Sequence, residues 1–368
     1  MQDPHPCTPT QDHTGQAKDH WRAAWTLCVK EFIWRYFGDL KPTKRPIFLY
    51  ASRRSGSSLL MEVLSVNRGV TFSDQPFCLY TASSANINRL PLFPYGQIAY
   101  PDAEEEQMLY QYVAALLRGD IKANGPWKLW SDTFHWRNNR ICLKITDAKS
   151  MIDWFDARFE PNTLVLTRHP IAQALSVDNV GWLCTGKGLL RNPTYVRTWL
   201  DGELPSFCWQ IYRDGSMLER RVLDWCLENL PMLRQLPQHP HWLFVSYEDL
   251  MTHTVEVIDV LCQRLELTDR ERMLARIRRP SRSTRRESTP ERKRMIRRGD
   301  RQQLRSSWRQ HVSDQQVDAC FQLLERFGID LYSRDSDMPD GTSVCRTSFG
   351  HAATCSTPAE QAIEKTVR

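Results

Sequence analysis

A polar, positively charged loop follows the first buried run of the chain. The loop is Ser52-Arg53-Arg54-Ser55-Gly56-Ser57-Ser58, between the apolar run 46–51 and a helical pattern that begins at Leu59. When a strand, a loop and a helix follow one another in this way, one anion can meet several donors at the loop. These are free backbone N–H groups, the positive end of the helix, hydroxyls and a guanidinium. Gly56 lets the backbone approach that anion closely. The loop predicts a phosphate or sulfate site, although the same order also occurs as plain structure.

A second candidate anion site begins where a predicted strand, 163–167, ends. Arg168 leaves this strand as a planar fork suited to phosphate, and Ser176, two helical turns later, can add a hydroxyl. Pro170 suits the first turn of the following helix. His169 is interpreted as a helix cap or a core histidine, since it is adjacent to the arginine.

The two loops are expected at the same place in the fold. In an open parallel sheet, loops at the carboxyl ends of strands share one edge, so a single ligand can span both. Two anion sites suit a nucleotide with phosphates on its 5′ and 3′ positions. The Walker A sequence, with Gly-Lys-Ser/Thr, is absent from the first loop, which weakens a kinase or ATPase interpretation.

These motifs together resemble those of the superfamily of sulfotransferases that use 3′-phosphoadenosine 5′-phosphosulfate (PAPS). The 5′-phosphosulfate loop is similar to 54–58, in the arginine-containing form of carbohydrate and bacterial members, and the 3′-phosphate motif to Arg168 with Ser176. Arg297-Arg298-Gly299, before Trp308-Arg309, resembles a late Arg-Lys-Gly element of the family. Residues 245–250 resemble the family's strand that ends in Tyr-Glu-Asp-Leu. The order along the chain is also the family's.

The resemblance implies a P-loop-like sulfotransferase that moves a sulfuryl group from PAPS to a hydroxyl or amine, without a metal. It assigns Arg54 to the bridging and leaving oxygens, and Arg168 with Ser176 to the 3′-phosphate. The implied PAPS-binding set is Arg53, Arg54, Ser55, Gly56, Ser57, Ser58, Leu59, Arg168, Ser176, Arg297, Arg298 and Gly299. Cytosolic members have Lys at the position of Arg54 and Trp at that of Leu59, so another residue must stack on the adenine here.

The general base is a separate question. The cytosolic catalytic histidine, which follows a Lys-Thr pair, has no counterpart after Lys144. In several relatives a carboxylate after the second strand serves, and Asp74 occupies a comparable place, although a turn or helix cap fits it about equally. Asp147 is the second choice and His135 the third.

The positioning elements alternate along the chain. Apolar runs predict strands at 46–51, 141–145, 163–167 and 242–246, and helical patterns occupy 104–117, 216–233 and 255–265. This alternation predicts an α/β fold of three layers, with a mostly parallel sheet covered by helices on both faces. We expect a disordered leader over 1–20, a sulfotransferase domain over 21–332 that opens with an amphipathic helix at 21–37, and a flexible tail over 333–368.

Charge is concentrated in one segment. Residues 270–309 hold sixteen Arg or Lys and four Asp or Glu, whereas the whole chain carries only +6. We expect a solvated, mobile stretch that in part orders over the nucleotide. Binding of RNA or DNA through this segment is an alternative function, and a P-loop kinase is another, but neither explains Arg54, Arg168 and Ser176 together. No specific nucleic acid partner is expected.

Composition sets the remaining expectations. The eleven cysteines stand singly, without a CxxC pair or a tight Cys/His cluster, which argues against structural zinc and for free thiols in the cytoplasm. No run is long and apolar enough for a membrane span. The aromatic regions 77–136 and 182–212 have no regular period and are predicted to build the pocket of a small-molecule or glycan acceptor such as a carbohydrate, phenol or lipid. The sequence leaves the acceptor and the oligomeric state open.

Overall fold

The computed structural model describes residues 25–339, apart from 27, 30, 31, 79–88 and 91–96. The predicted leader 1–20 and most of the predicted tail, 340–368, lie outside the described residues. Within 25–37 the described residues are helical up to residue 37, as predicted for that part. Among the described residues, no helix has both the length and the apolar character needed to cross a bilayer.

The centre of the fold is a five-stranded sheet. Short strands β1 and β4 pair separately, and the sheet has the order β3-β5-β2-β6-β7, with every pair parallel. The strands are β1 (Asp39–Leu40), β2 (Ile47–Ala51), β3 (Val70–Asp74), β4 (Arg137–Asn138), β5 (Arg140–Ile145), β6 (Asn162–Thr167) and β7 (Leu243–Ser246). The predicted strands are confirmed within one or two residues at each end.

Fifteen helices after residue 40 surround the sheet in the described part of the chain. In chain order they are α1 (Ser57–Ser65), α2 (Ala103–Arg118), α3 (Ile152–Phe159), α4 (Pro170–Asp178), α5 (Gly186–Leu190), α6 (Pro193–Trp199), α7 (Leu204–Asp214), α8 (Met217–Gln235), α9 (Tyr247–Thr252), α10 (Thr254–Arg264), α11 (Arg270–Ile277), α12 (Arg282–Glu287), α13 (Pro290–Arg298), α14 (Arg301–Ser306) and α15 (Asp314–Arg326). Short 3-10 turns cover Lys149–Met151, Leu236–Gln238 and Ser307–His311.

Strand β2 shows why the fold has three layers. All five of its side chains are buried, because helices cover both faces of the sheet. Phe48 and Tyr50 join the core beneath α2, α3, α4 and α8, whereas Ile47, Leu49 and Ala51 join the core beneath α1, α10 and α11. Alternate residues of a strand point to opposite faces, so one strand feeds two cores. The predicted three-layer α/β class is confirmed.

Two regions differ from the sequence-based expectations. The region 182–212, predicted to be irregular, contains α5, α6 and most of α7, and Tyr195 and Cys208 are fully buried in the core. These helices are short, so their periodicity is hard to recognise in the sequence. The Arg-rich segment, expected to be solvated and mobile, forms the helices α11 to α14, and α12 and α13 contain no buried residue, as solvation predicts. Glu62 on α1 anchors it by pairing with Arg276 and by accepting a hydrogen bond from Arg282 N at 2.9 Å.

Candidate active site

The two predicted anion loops lie side by side. Strands β2 and β6 are neighbours, with Ala51 paired to Leu166, and each loop leaves the carboxyl end of its strand. The Arg168 guanidinium donates from Nη1 to the Arg54 carbonyl oxygen at 3.0 Å, and Arg54 Nε donates to Ser176 Oγ at 3.1 Å. Three residues that are distant in sequence therefore meet at one edge of the sheet.

A cleft of about 640 Å³ opens above these loops. Two of the predicted site residues do not line it: Ser55, predicted to bind PAPS, and Asp147, the second choice for the general base. The predicted residues that line it are Arg53, Arg54, Gly56, Ser57, Ser58, Leu59, Asp74, Arg168, Ser176, Arg297, Arg298 and Gly299. Ser55 is fully buried, and its hydroxyl is used within the loop, where it donates to the Ser52 carbonyl oxygen at 2.7 Å.

Glycine is required at position 56 by both backbone and packing. Gly56 has a φ of 96°, in the left-handed region that side chains disfavour, and it caps α1 without a side-chain hydrogen bond. A Cβ atom at this position would lie 2.5 Å from Tyr247 Cδ2. The start of α1 is thus packed directly against an aromatic ring of the cleft, and its uncapped N-terminal end adds positive potential there.

Arg168 is a buried cation with no ion-pair partner in the described part of the chain. It is 5% exposed, its Nε lacks a hydrogen-bond partner, and among the described residues no carboxylate lies within ion-pair distance of it. Its guanidinium lies 5.0 Å from the centre of the Tyr247 ring. Burial, and then the nearby Arg292, lower the pKa of Arg168 to about 10. A buried charge in this condition is costly unless a bound anion compensates it.

The Arg-rich helices form one wall of the cleft. Arg292 Nη2 donates to the Tyr247 hydroxyl at 3.0 Å, and Arg301 Nη1 donates to Thr254 Oγ1 at 2.9 Å. Eleven cationic residues line the cleft, against the acidic residues Asp74 and Glu287. The cationic residues are Arg53, Arg54, Lys144, Arg168, Arg278, Arg282, Arg286, Arg292, Arg297, Arg298 and Arg301. This wall gives the cleft a strong attraction for polyanionic ligands.

Two residues that the sequence analysis did not assign complete the charge pattern. Lys144 Nζ lies 2.5 Å from Asp74 Oδ1 and donates to Ser58 Oγ at 3.3 Å. The sequence feature that could have pointed to Lys144 is a lysine within an apolar strand. In the structure Lys144 lies opposite Asp74 in the register of β3 and β5. Glu287 on α12 places Oε2 2.5 Å from Arg54 Nη1. The guanidinium of the predicted catalytic arginine is therefore ion-paired with a carboxylate of the same chain.

The second and third choices for the general base do not face the cleft. Asp147 is 2% exposed, pairs with Arg53 at 3.5 Å and accepts a hydrogen bond from Thr146 Oγ1 at 2.9 Å. Burial raises the pKa of its carboxyl group, and the charge of Arg53 opposes this rise. His135 Nε2 lies 3.0 Å from the Ser65 carbonyl oxygen, outside the cleft lining. Asp147 is therefore engaged with Arg53, and neither Asp147 nor His135 lines the cleft.

His169 is a core histidine and the N-cap of α4, as interpreted from the sequence. It is fully buried, and its ring stacks on Trp308 with 4.4 Å between the ring centres. Burial, and then the charge of Arg309, lower the pKa of His169 to about 3. The imidazole is therefore neutral over the ordinary pH range and packs behind the Arg168 turn.

Two buried groups hold the turn that presents Arg168. Glu248 accepts a hydrogen bond from His169 N at 3.0 Å through Oε1 and one from the Tyr332 hydroxyl at 2.9 Å through Oε2. Trp225 Nε1 donates to the Arg168 carbonyl oxygen at 3.0 Å. Because both backbone groups beside Arg168 are fixed by buried partners, the guanidinium enters the cleft from a rigid turn.

Burial raises the pKa of Glu248 to about 7 from the ordinary 4.5. The folded protein binds this proton more tightly than the unfolded chain, so the stability contributed by Glu248 is complete below about pH 4.5 and is lost as the pH rises to about 7. We expect Glu248→Gln to flatten the decline in the free energy of unfolding between these pH values, measured by urea denaturation. The amide keeps an acceptor for His169 N and can donate to Tyr332. Exposed Glu256→Gln is the control, and an unchanged slope in Glu248→Gln would contradict the assignment.

Parts of the predicted acceptor regions reach the cleft. Trp127 and Trp182 line it. The guanidinium carbon of Arg282 lies 4.7 Å from the centre of the Trp127 ring, and that of Arg53 lies 5.7 Å from the centre of the Trp182 ring. Residues 79–88 and 91–96 of the first region lie outside the described residues. With Tyr247, these two tryptophans give the cleft aromatic surfaces that sequence patterns did not single out as ligand contacts.

No protein-family model and no curated protein matches the chain. Solved structures that resemble it include a sulfotransferase domain from the Synechococcus PCC 7002 olefin synthase, at 18% identity and a TM-score of 0.40, covering 80% of this chain and 98% of that chain. A mouse sulfotransferase complexed with PAP has 14% identity and a TM-score of 0.36, covering 81% and 88%. A retinol dehydratase in complex with androsterone and inactive cofactor PAP has 14% identity and a TM-score of 0.34, covering 83% and 87%.

Proposed function

We propose that the protein is a sulfotransferase that uses PAPS and sulfates a hydroxyl or amine of a small-molecule or glycan acceptor. The observation that carries this proposal is Arg168, a buried cation that has no ion-pair partner among the described residues and shares one cleft with Arg54 and Ser176. A site with an uncompensated buried guanidinium is prepared for an anion. Two arginine-bearing loops at neighbouring strand ends suit a ligand with phosphate on both sides of its ribose.

The side chains present fit PAPS. Arg168, with Ser176 beside it, would hold the 3′-phosphate, and Arg292, Arg297 or Arg298 would close over it from the Arg-rich wall. Arg54, Ser57, Ser58 and the N-terminal end of α1 would hold the 5′ side. For Arg54 to contact the ligand, its pairing with Glu287 must be exchanged for pairing with the bound anion. The Glu287 side chain is 34% exposed and can turn to solvent, whereas the Arg54 side chain, 9% exposed, stays in the cleft to meet the anion.

When bound, PAPS supplies a sulfuryl group whose bond to the 5′-phosphate oxygen breaks as an acceptor atom attacks in line. Arg54 neutralises charge that develops on the departing oxygen, and Lys144, beside Ser58, adds a second cation at the same end. Asp74 is the cleft carboxylate at the end of β3, and we assign it to take the acceptor proton. Lys144 orients this carboxylate through its ion pair at 2.5 Å.

The two alternative functions account for fewer of these features. A P-loop kinase needs acidic groups for Mg²⁺ and a Walker lysine, whereas the described cleft is lined by two acidic residues, Asp74 and Glu287, against eleven cationic ones, and Gly-Lys-Ser/Thr is absent from the first loop. Nucleic acid binding through the Arg-rich segment would favour arginines on an outer face. Arg282, Arg286, Arg292, Arg297 and Arg298 instead line the cleft.

A cytoplasmic location and an anionic acceptor complete the proposal. Cys142, Cys208, Cys226 and Cys320 are buried free thiols, which fits a reducing compartment. The excess of cationic over acidic residues in the cleft is larger than the roughly four negative charges of the donor. We therefore favour acceptors that carry a carboxylate, sulfate or phosphate group of their own.

The test combines PAP calorimetry with a screen of labelled PAPS against neutral and anionic sugars, phenols and amines. We expect the wild type to bind PAP and to label an acceptor. Asp74→Asn should keep its PAP affinity within about twofold and lose roughly 10²- to 10⁴-fold in transfer rate, since it removes the proton acceptor. Exposed Asp120→Asn is the matched control. Absence of PAP binding would refute the function, whereas full transfer by Asp74→Asn would refute only the base.

A further inference from the structure

A second cluster of chemically capable side chains lies at the opposite edge of the sheet from the cleft. Asp156 is on α3, and His239 and His241 are in the turn that leads into β7. This edge contains the amino ends of β6 and β7, whereas the cleft is at their carboxyl ends. We propose that Asp156, His239 and His241 form a binding site for one divalent transition-metal ion of the zinc type.

The spacing of the donor atoms fits a single ion. One ligand atom from each of the three residues lies within 4.8 Å of the other two, and Asp156 Oδ2 is 2.8 Å from His241 Nε2. Ligand atoms around tetrahedral zinc, at about 2.0–2.2 Å from the metal, are separated by about 3.4 Å. Small movements of the exposed His241 ring would bring the donors to this spacing. Two imidazoles and one carboxylate favour zinc, nickel or copper over magnesium or calcium.

Two of the donors are held by buried neighbours. Thr163 on β6 is 2% exposed and donates to Asp156 Oδ1 at 2.9 Å, which leaves Oδ2 directed to the histidines. The His239 ring stacks on buried Trp242, with ring centres 4.0 Å apart and planes within 7°. A hydroxyl that orients a carboxylate ligand is a common feature of metal sites, where it fixes the ligand before the ion arrives.

The backbone also fixes the turn that carries the histidines. Trp242 N donates to the His239 carbonyl oxygen at 2.9 Å, and His239 N donates to the Leu236 carbonyl oxygen at 3.2 Å. Arg264 Nη2 donates to the His241 carbonyl oxygen at 3.4 Å, so the neighbouring cation is engaged with the backbone. A bound ion would tie α3 to the start of β7. The cysteine-based argument against zinc does not apply to this site, because its third ligand comes from a distant helix.

The experiment uses untagged, EDTA-treated full-length protein, titrated with Zn²⁺ in a calorimeter and with Co²⁺ by visible absorption. We expect one equivalent of Zn²⁺ to bind and Co²⁺ to give the intense bands of a four-coordinate site. His241→Ala and Asp156→Asn should each weaken Zn²⁺ binding more than Thr163→Val does. Thr163→Val should weaken Zn²⁺ affinity by about 10- to 100-fold, the usual effect of removing a hydrogen bond that orients a metal ligand.

His253→Ala is the matched control, because His253 is also exposed and pairs with a single carboxylate, Asp249, at 3.3 Å. It should bind Zn²⁺ as the wild type does. Far-UV circular dichroism and PAP calorimetry on each variant verify that the fold and the separate cleft are intact. Failure of the wild type to bind one equivalent of Zn²⁺, or undiminished binding by both His241→Ala and Asp156→Asn, would overturn the proposal.

Discussion

Arg168→Met is expected to weaken PAP binding by about 3 kcal/mol, roughly 150-fold in Kd, without lowering the thermal stability of the ligand-free protein. Methionine keeps much of the aliphatic volume and removes the charge. In the free protein that charge is buried and has no carboxylate partner among the described residues, so its removal relieves a desolvation cost that offsets the loss of its single carbonyl hydrogen bond, to Arg54 O at 3.0 Å. In the complex the same charge would meet a phosphate, and its loss leaves that phosphate without its main partner.

The matched control for this experiment is Arg140→Met. Arg140 is also buried, at 1% exposed, but its guanidinium donates to the Arg45 carbonyl oxygen at 2.6 Å and to the Leu265 carbonyl oxygen. This substitution should therefore lower stability and leave PAP affinity unchanged. Calorimetry and thermal unfolding of both variants separate a binding arginine from a structural one. Equal PAP affinity in Arg168→Met and the wild type would contradict the assignment of Arg168.

Gly56→Ala is expected to damage stability and nucleotide binding together. The added Cβ would lie 2.5 Å from Tyr247 Cδ2, and the backbone at a φ of 96° adds strain of about 1 kcal/mol. Relief of the collision moves either the phosphate loop or the Tyr247 ring, and Arg168 and Arg292 both contact that ring. We expect urea denaturation to show an additional loss of about 1–3 kcal/mol from overpacking and calorimetry to show at least tenfold weaker PAP binding.

Gly202→Ala isolates the backbone contribution. Gly202 also has a positive φ, of 55°, but no heavy atom lies within 4 Å of a Cβ built on it. This variant should lose only the conformational strain and should bind PAP as the wild type does. If Gly56→Ala and Gly202→Ala lost the same stability and both kept PAP affinity, the close approach of loop and ring would have no role in binding.

The framework of the site could be predicted from local sequence. The buried run before Ser52 and the run before Arg168 have strand character over a few consecutive residues, and each is followed by a helical pattern. Parallel strands joined through helices place their carboxyl ends at one edge, so the meeting of Arg54 with Arg168 followed from topology. The short helices between 182 and 212 gave no comparable signal, because five to eleven residues hold too few turns for a clear period.

Local sequence patterns were enough to predict the layered α/β fold and the two arginine-bearing loops, because strand and helix patterns are local and parallel topology is restrictive. The folded structure sets which charged side chains pair. It paired Asp147 with Arg53, Lys144 with Asp74, and Glu287 with Arg54. It also left Arg168 Nε without a hydrogen-bond partner among the described residues and brought Asp156 to His241. Such pairings depend on how elements distant in sequence pack within a few ångströms, and Coulomb interactions and desolvation change steeply over that distance.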